Sequence, residues 1–236
     1  MIWLDLGLNA VATGIMLGCV YALIALGLAI TFGVLHIPNV AHPALVVAGA
    51  YWAVLANERG FDPIAAALIG SPLFYLVGRL FYDAYRRVFE RRGRGNTLQS
   101  LTLFFGLALV LEISLLLAFG ADLRSVDVDY VGRSLRLGFV SLPYRLLVPA
   151  LLGPIAIGLL WAYLLWAQMG LAIRAVAQGE IALGISGINP DRVKRHAFGL
   201  ALASAALAGA ALVILCLLYT SPSPRDRTRS RMPSSA

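Results

Sequence analysis

Asn39, His42 and Glu112 are polar side chains set in stretches otherwise rich in Val, Leu, Ala and Ile. Asn39 and His42 lie three residues apart between Pro38 and Pro43, so a helical course would turn an amide and an imidazole the same way. Broken backbone at membrane depth belongs beside protein or water rather than lipid. The pair therefore reads either as the lining or gate of a pathway, or as a satisfied turn at a membrane interface. Glu112 stands midway along an apolar run, where a carboxyl group is costly and faces a bundle interior or cavity. It reads as a polar patch on a pathway, a contact to a partner subunit, or an interhelical hydrogen bond.

A second group, in the loop over residues 168–195, has the chemistry of a handle. Leu171, Ala175, Gly179 and Ala182 repeat at helical spacing, with Arg174 and Gln178 on another face. Gly184 and Gly187 supply stop signals, because glycine readily takes the left-handed conformation that ends a helix. Asn189, Pro190 and Asp191 then read as a start: an N-cap, a proline at the first helical position, and an acid near the positive end of the dipole. The expectation is a short helix carrying Arg174, Ala175, Gln178, Glu180 and Ala182, a tight turn through Gly184 and Gly187, and a new helix into the membrane. Such a helix is either gripped by another protein or rests as a solvated interfacial helix.

Catalytic chemistry finds little footing. Lys194 is the only lysine and follows a valine, so there is no Gly-Lys-Ser/Thr phosphate loop, and any ATP must be hydrolysed by another chain. His36, His42 and His196 lack the HExxH spacing of a metal site, and no Gly-x-Ser-x-Gly elbow occurs. No catalytic residue, metal ligand or cofactor is assigned. An intramembrane enzyme would need a convergent pair, and only Asn39 with His42 comes near.

The elements that must position these residues follow from composition. With 60% hydrophobic and 13% charged residues and a mean hydropathy of +0.82, the chain reads as an integral membrane protein. Residues 6–57 contain no Asp, Glu, Lys or Arg, enough for one full crossing and most of a second at roughly 20 residues each. The predicted fold is an all-α polytopic membrane bundle with helices near 6–35, 41–56, 63–82, 97–120, 145–167 and 190–217. Its start lacks the pattern of a cleaved leader, so the first span reads as an anchor. Pro43 suits the first turn of a helix, and Pro72 should kink or break the third. Small residues recur every four positions at Gly14, Gly18 and Ala22 and at Ala201, Ala205 and Gly209, and both stripes are expected to be buried against other helices. Cys19 and Cys216 read as buried thiols.

Charge sets the orientation. Arg86, Arg87, Arg91, Arg92 and Arg94 place the loop near 83–96 in the cytoplasm, and Arg174, Arg192, Lys194 and Arg195 do the same for 168–195. The amino terminus and residues 121–144 then lie outside, with Arg59, Arg124, Arg133, Arg136 and Arg145. Basic residues at membrane edges serve orientation and argue against nucleic acid as a partner. After residue 217 the chain turns abruptly to Ser, Pro and Arg, the composition of disorder. Residues 218–236 resemble a translated vector or adapter end, and a natural disordered tail is the alternative. Residues 1–217 form the expected transmembrane domain.

Three places carry a resemblance to the permease subunits of branched-chain amino acid ABC transporters. Residues 32–42, reading Phe-Gly-Val-Leu-His-Ile-Pro-Asn-Val-Ala-His, and 49–51, reading Gly-Ala-Tyr, resemble the signature after that family's first span. Residues 97–106, 119–120 and 124–126 resemble its central span and external segment. Residues 170–178, 187–189 and 191–193 resemble its coupling loop. Two departures stand out. Pro43 occupies a place usually held by Gly, and an expected Glu-Ala-Ala triplet reads Glu180, Ile181, Ala182 with Gly184 as an added breaker.

The resemblance implies an importer of branched-chain or related small amino acids in a bacterial inner membrane. It implies as partners two cytoplasmic ATPase subunits, a second related permease subunit and an external substrate-binding protein. Residues 174–187 would then contact the ATPase, Asn39 and His42 would lie near the pathway, and further spans would follow residue 217. A secondary transporter or channel that needs no ATPase is the alternative.

Overall fold

Helices without a charged face have no reason to associate in lipid except close packing, and here that packing gathers around the last helix. The structure, a computed structural model, describes residues 2–35, 39–88, 97–120, 126, 128, 134–137, 140–179 and 187–216. Its elements in chain order are α1 (Ile2–Leu35), α2 (His42–Asn57), α3 (Pro63–Val88), α4 (Thr97–Phe119), β1 (Ser134–Leu137), β2 (Val140–Pro143), α5 (Tyr144–Trp166), α6 (Gln168–Gln178) and α7 (Pro190–Cys216). The chain is an all-α polytopic membrane bundle. Five helices have the length and apolar composition to cross a membrane: α1, α3, α4, α5 and α7. At sixteen residues α2 is about 24 Å long, short of the ~30 Å hydrocarbon core. The tail over residues 218–236 lies outside the described residues.

Local sequence explains the helix ends. Asp62 caps α3 by accepting from the amides of Ile64 at 2.8 Å and Ala65 at 3.3 Å, and Pro63 takes the first position, where no amide is needed. Asn189 accepts from the Asp191 amide at 3.0 Å, so the predicted start of α7 is the observed one. Pro72 neither breaks nor ends α3. The carbonyl its missing amide would have met, that of Leu68, accepts instead from the Ser71 hydroxyl at 2.9 Å. Helix α3 also runs six residues past its predicted end, because Tyr82 and Tyr85 bury themselves on one face while Asp83 and Arg86 find partners on α7.

Helix α7 is the centre. Buried surface makes up 78% of its most apolar window, against 6% for α4. Ala201 and Ala205 are fully buried, and any side chain at Gly209 would collide with the backbone of Val46, Gly49 and Ala50 on α2. Gly49 in turn faces the Ala205 carbonyl, so α2 and α7 cross backbone to backbone. The matching stripe on α1 behaves otherwise. Gly14 and Gly18 are exposed with nothing within 4 Å, which corrects the expectation that both stripes are buried. The face of α1 that packs instead carries Met16, Val20 and Leu23. Cys19 is a free, half-buried thiol whose backbone meets Gly153 of α5, not the fully buried one expected.

Helix α4 is fastened at two places. Near its start Phe104 stacks with Tyr85 and Phe198 at 5.6 and 5.9 Å, and at its end Phe119 stacks on Tyr51 at 4.5 Å. The strands form an antiparallel hairpin with Ser134 opposite Pro143, an element absent from the sequence reading. The Ser141 amide donates to Asn9 of α1 at 2.9 Å, which places the hairpin at the amino-terminal end of α1.

The α2–α7 crossing can be tested with a pair of substitutions. Gly209→Val should cost about 1–3 kcal/mol through overpacking and lower the thermal midpoint in detergent. Gly18→Ala, which enters open space, should leave that midpoint unchanged or slightly raised.

Candidate functional site

The turn between α1 and α2 folds inward. Asn39 and His42 are 1% and 2% exposed, so the sequence pair does face one way, into the junction of α1, α2 and α7. Asn39 Oδ1 accepts from the Ala41 amide at 3.2 Å, and its carbonyl accepts from the His42 amide at 3.0 Å. His42 Nε2 lies 3.1 Å from the Ile24 carbonyl. A carbonyl only accepts, so Nε2 donates, and in a neutral ring Nδ1 is then the acceptor. The imidazole occupies the space beside Gly27 that a side chain there would need, next to the Ala201 carbonyl and Ser204 Oγ of α7. Thr31, fully buried one turn along α1, donates to the carbonyl of Gly27 or Leu28 at 3.1 or 3.0 Å.

Two buried side-chain atoms here have no hydrogen-bond partner among the described residues: Asn39 Nδ2 and His42 Nδ1. The first is a donor and the second an acceptor, a complementary pair left unused at a junction that is otherwise closely packed.

Glu112 belongs to a different place. It is exposed and lines a cleft of about 390 Å³ between α2 and α4, in the gap between the two attachments of α4. Val40, Pro43 and Val47 form the opposite wall. Asn39 and His42 point one way from the α1–α2 turn and Val40 and Pro43 the other. The structure thus joins Asn39 to His42 and keeps Glu112 apart from both. No interhelical hydrogen bond of Glu112 is seen among the described residues.

The loop between α5 and α7 is built as an elbow. Ala167 alone is extended (φ −82°, ψ 141°), and α6 folds back from it so closely that Gly170 presses on the backbone of Tyr163 and Leu164. Ala172, Ile173 and Val176 of α6 bury against Val34 of α1 and Val193 and Ala197 of α7. This corrects the predicted face. Leu171 lies with Arg174 and Gln178 on the exposed side, and Ala175 is half-buried beside them. Helix α6 ends at Gln178, with extended backbone at Gly179. Gly187 does take the left-handed conformation, at φ +77°, but leads into α7 rather than closing α6. Glu180, Ala182 and Gly184 lie outside the described residues.

At the base of this elbow stands a cluster that the sequence reading missed. His196 of α7 has both ring nitrogens engaged: Nδ1 with Tyr75 of α3 at 2.5 Å and Nε2 with Tyr163 of α5 at 2.7 Å. The Arg79 guanidinium lies over the Tyr75 ring, 5.7 Å from its centre. Next to it Arg195 pairs with Asp83 at 3.2 Å and Arg86 with Asp191, so α3 and α7 are tied by reciprocal charges. Each pair is about one-third exposed and is worth no more than ~1 kcal/mol, so these pairs fix register more than stability. A signal was available, since His, Tyr, Thr and Ser at membrane depth ask for partners. The partners themselves lie 121 and 33 positions away. Among the described residues no three His, Cys, Asp or Glu side chains gather as metal ligands.

Comparison with known proteins was made on sequence and on structure. Residues 10–226 match a family described as branched-chain amino acid transport system / permease component. A curated relative, the high-affinity branched-chain amino acid transport system permease protein BraD of Pseudomonas aeruginosa, is 26% identical over 218 residues, covering 84% of this chain and 69% of its own length. No solved structure matches.

The α1–α2 turn can be tested directly. Asn39→Ala leaves the buried Ala41 amide without its acceptor and should cost about 1–3 kcal/mol, read as a lower thermal midpoint. An unchanged midpoint would mean that another acceptor serves that amide.

Proposed function

The chain belongs to the family of branched-chain amino acid transport permeases, and from that premise we propose that it is the membrane half of an ATP-driven importer in a bacterial inner membrane. Its solutes are branched-chain or related small amino acids, the class named for BraD. Cytoplasmic ATPase subunits supply the energy, a second related permease completes the pathway, and an external binding protein delivers the solute. The lipid bilayer surrounds the apolar helices, and the chain itself carries no catalytic role.

One observation supports this reading above the others. Helix α6 buries Ala172, Ile173 and Val176 against both α1 and α7 while leaving Leu171, Arg174 and Gln178 exposed at the loop side of the bundle. A partner that grips the exposed face moves two membrane helices through the buried one. The basic residues at this end, Arg86, Arg87, Arg174 and Arg192, favour the cytoplasm for it. The hairpin bonded to Asn9 then lies outside with the amino terminus.

The polar residues fit a solute pathway. Asn39 Nδ2 offers a donor and His42 Nδ1 an acceptor, the complement of a carboxylate and an ammonium carried by one solute. Their junction is closed in the state described, so solute reaches it only when α1, α2 and α7 separate. Glu112 contributes a carboxylate to a largely apolar cleft, at a depth where lipid alone is a poor neighbour.

Replacing Arg174, Gln178 and Glu180 with alanine in the assembled importer should release the ATPase on co-purification or uncouple hydrolysis from uptake. Retention of the ATPase together with normal coupling would refute the role given to this loop.

A further inference from the structure

Between α1, α5 and α7 lies a cleft of about 250 Å³ whose walls are aliphatic except for Ser71, Tyr163 and Ser204. Ser204 lines this cleft and its hydroxyl also meets Gly27 beside His42, so the cleft borders the buried polar junction. Tyr163 has two roles. It lines the cleft, and its hydroxyl reaches across to His196 on α7. His196 precedes Ser204 by eight residues, about 12 Å along the helix toward the loop. The Tyr163–His196 bridge therefore crosses from α5 to α7 at the loop-side end of the cleft, and Tyr75 anchors the same imidazole to α3.

The bridge is chemically complete. A neutral imidazole has one donor and one acceptor, and a tyrosine hydroxyl can play either part, so one tyrosine donates while the other accepts. It is also the contact best placed to feel α6. Tyr163 ends one turn before the Ala167 bend, and Gly170 lies against its carbonyl, so a pull on α6 acts first on this residue.

We propose that Tyr163, His196 and Tyr75 form the gate at the loop-side end of the α1–α5–α7 cleft. It is closed as described and opens when α6 is displaced. What displaces α6 rests on the ATP-driven reading above; the gate itself does not.

The assembled importer in proteoliposomes loaded with labelled leucine reads both points separately. Tyr163→Phe and His196→Leu each remove hydrogen bonding from the bridge and should raise nucleotide-free efflux several-fold, up to about tenfold, with less leucine moved per ATP. His196→Gln, whose amide again offers one donor and one acceptor, should leak less than His196→Leu. Efflux from Tyr163→Phe and His196→Leu equal to wild type overturns the gate, as does His196→Gln leaking as much as His196→Leu. Should Tyr163→Phe fail to assemble, Tyr75→Phe breaks the other half of the bridge and is read in the same way. If the wild type shows no ATP-dependent uptake, the ATP-driven reading falls, while the efflux comparison still judges the gate.

Discussion

Everything in this bundle depends on how closely α7 can be approached. Lipid gives apolar helices little reason to prefer one another, so attraction leans on dispersion, which loses roughly a quarter to a half of its strength over a gap of about 0.5–1 Å. Gly49 against Gly209, and Ala201 and Ala205 beside them, let backbone meet backbone and help gather α1, α2, α3, α5 and α6 around one axis. Because α7 is hemmed in by α1, α2, α3 and α5, a change at its loop-side end is felt by all of them.

The polar groups follow the same geometry. His42 reaches the Gly27 and Ser204 region because a glycine leaves room for its ring, and His196 reaches two tyrosines because α3 and α5 flank α7 there. His42 ties α2 to α1 and His196 ties α3 and α5 to α7, while Tyr85 with Ser100 joins α3 to α4 and Trp52 with the Ala66 carbonyl joins α2 to α3. The two that find none among the described residues, on Asn39 and His42, lie at the junction of α1, α2 and α7. Helix α4 shows the contrast. Held near its start by Phe104 and the Ser100–Tyr85 hydrogen bond and at its end by Phe119, it leaves a gap beside Glu112 in which the carboxyl group faces open space.

The elbow connects these interior contacts to the membrane surface. A single extended residue, Ala167, reverses the chain, and the glycine three positions on lets α6 lie against the end of α5. Helix α6 is therefore no slack connector, and two of the helices it touches, α1 and α7, border the polar junction.

Much of this was legible one segment at a time. The six predicted membrane-associated helices are present with ends shifted by a few residues, and the cap at Asn189 and Pro190 is where the sequence put it, because caps and 3.6-residue periods are written within a few positions. The membrane character was equally plain from composition. What no local pattern could decide was which face meets which neighbour. The stripe at Gly14 and Gly18 looks like that at Ala201, Ala205 and Gly209, yet one opens outward and the other forms the axis, since face choice is settled by the packing of the whole bundle. For the same reason Leu171 was set on a different face of α6 from Arg174 and Gln178, Glu112 lies apart from Asn39 and His42, and His196 is joined to tyrosines far away in sequence. Residue types announced that partners were needed; only the crossing of helices in three dimensions could choose them.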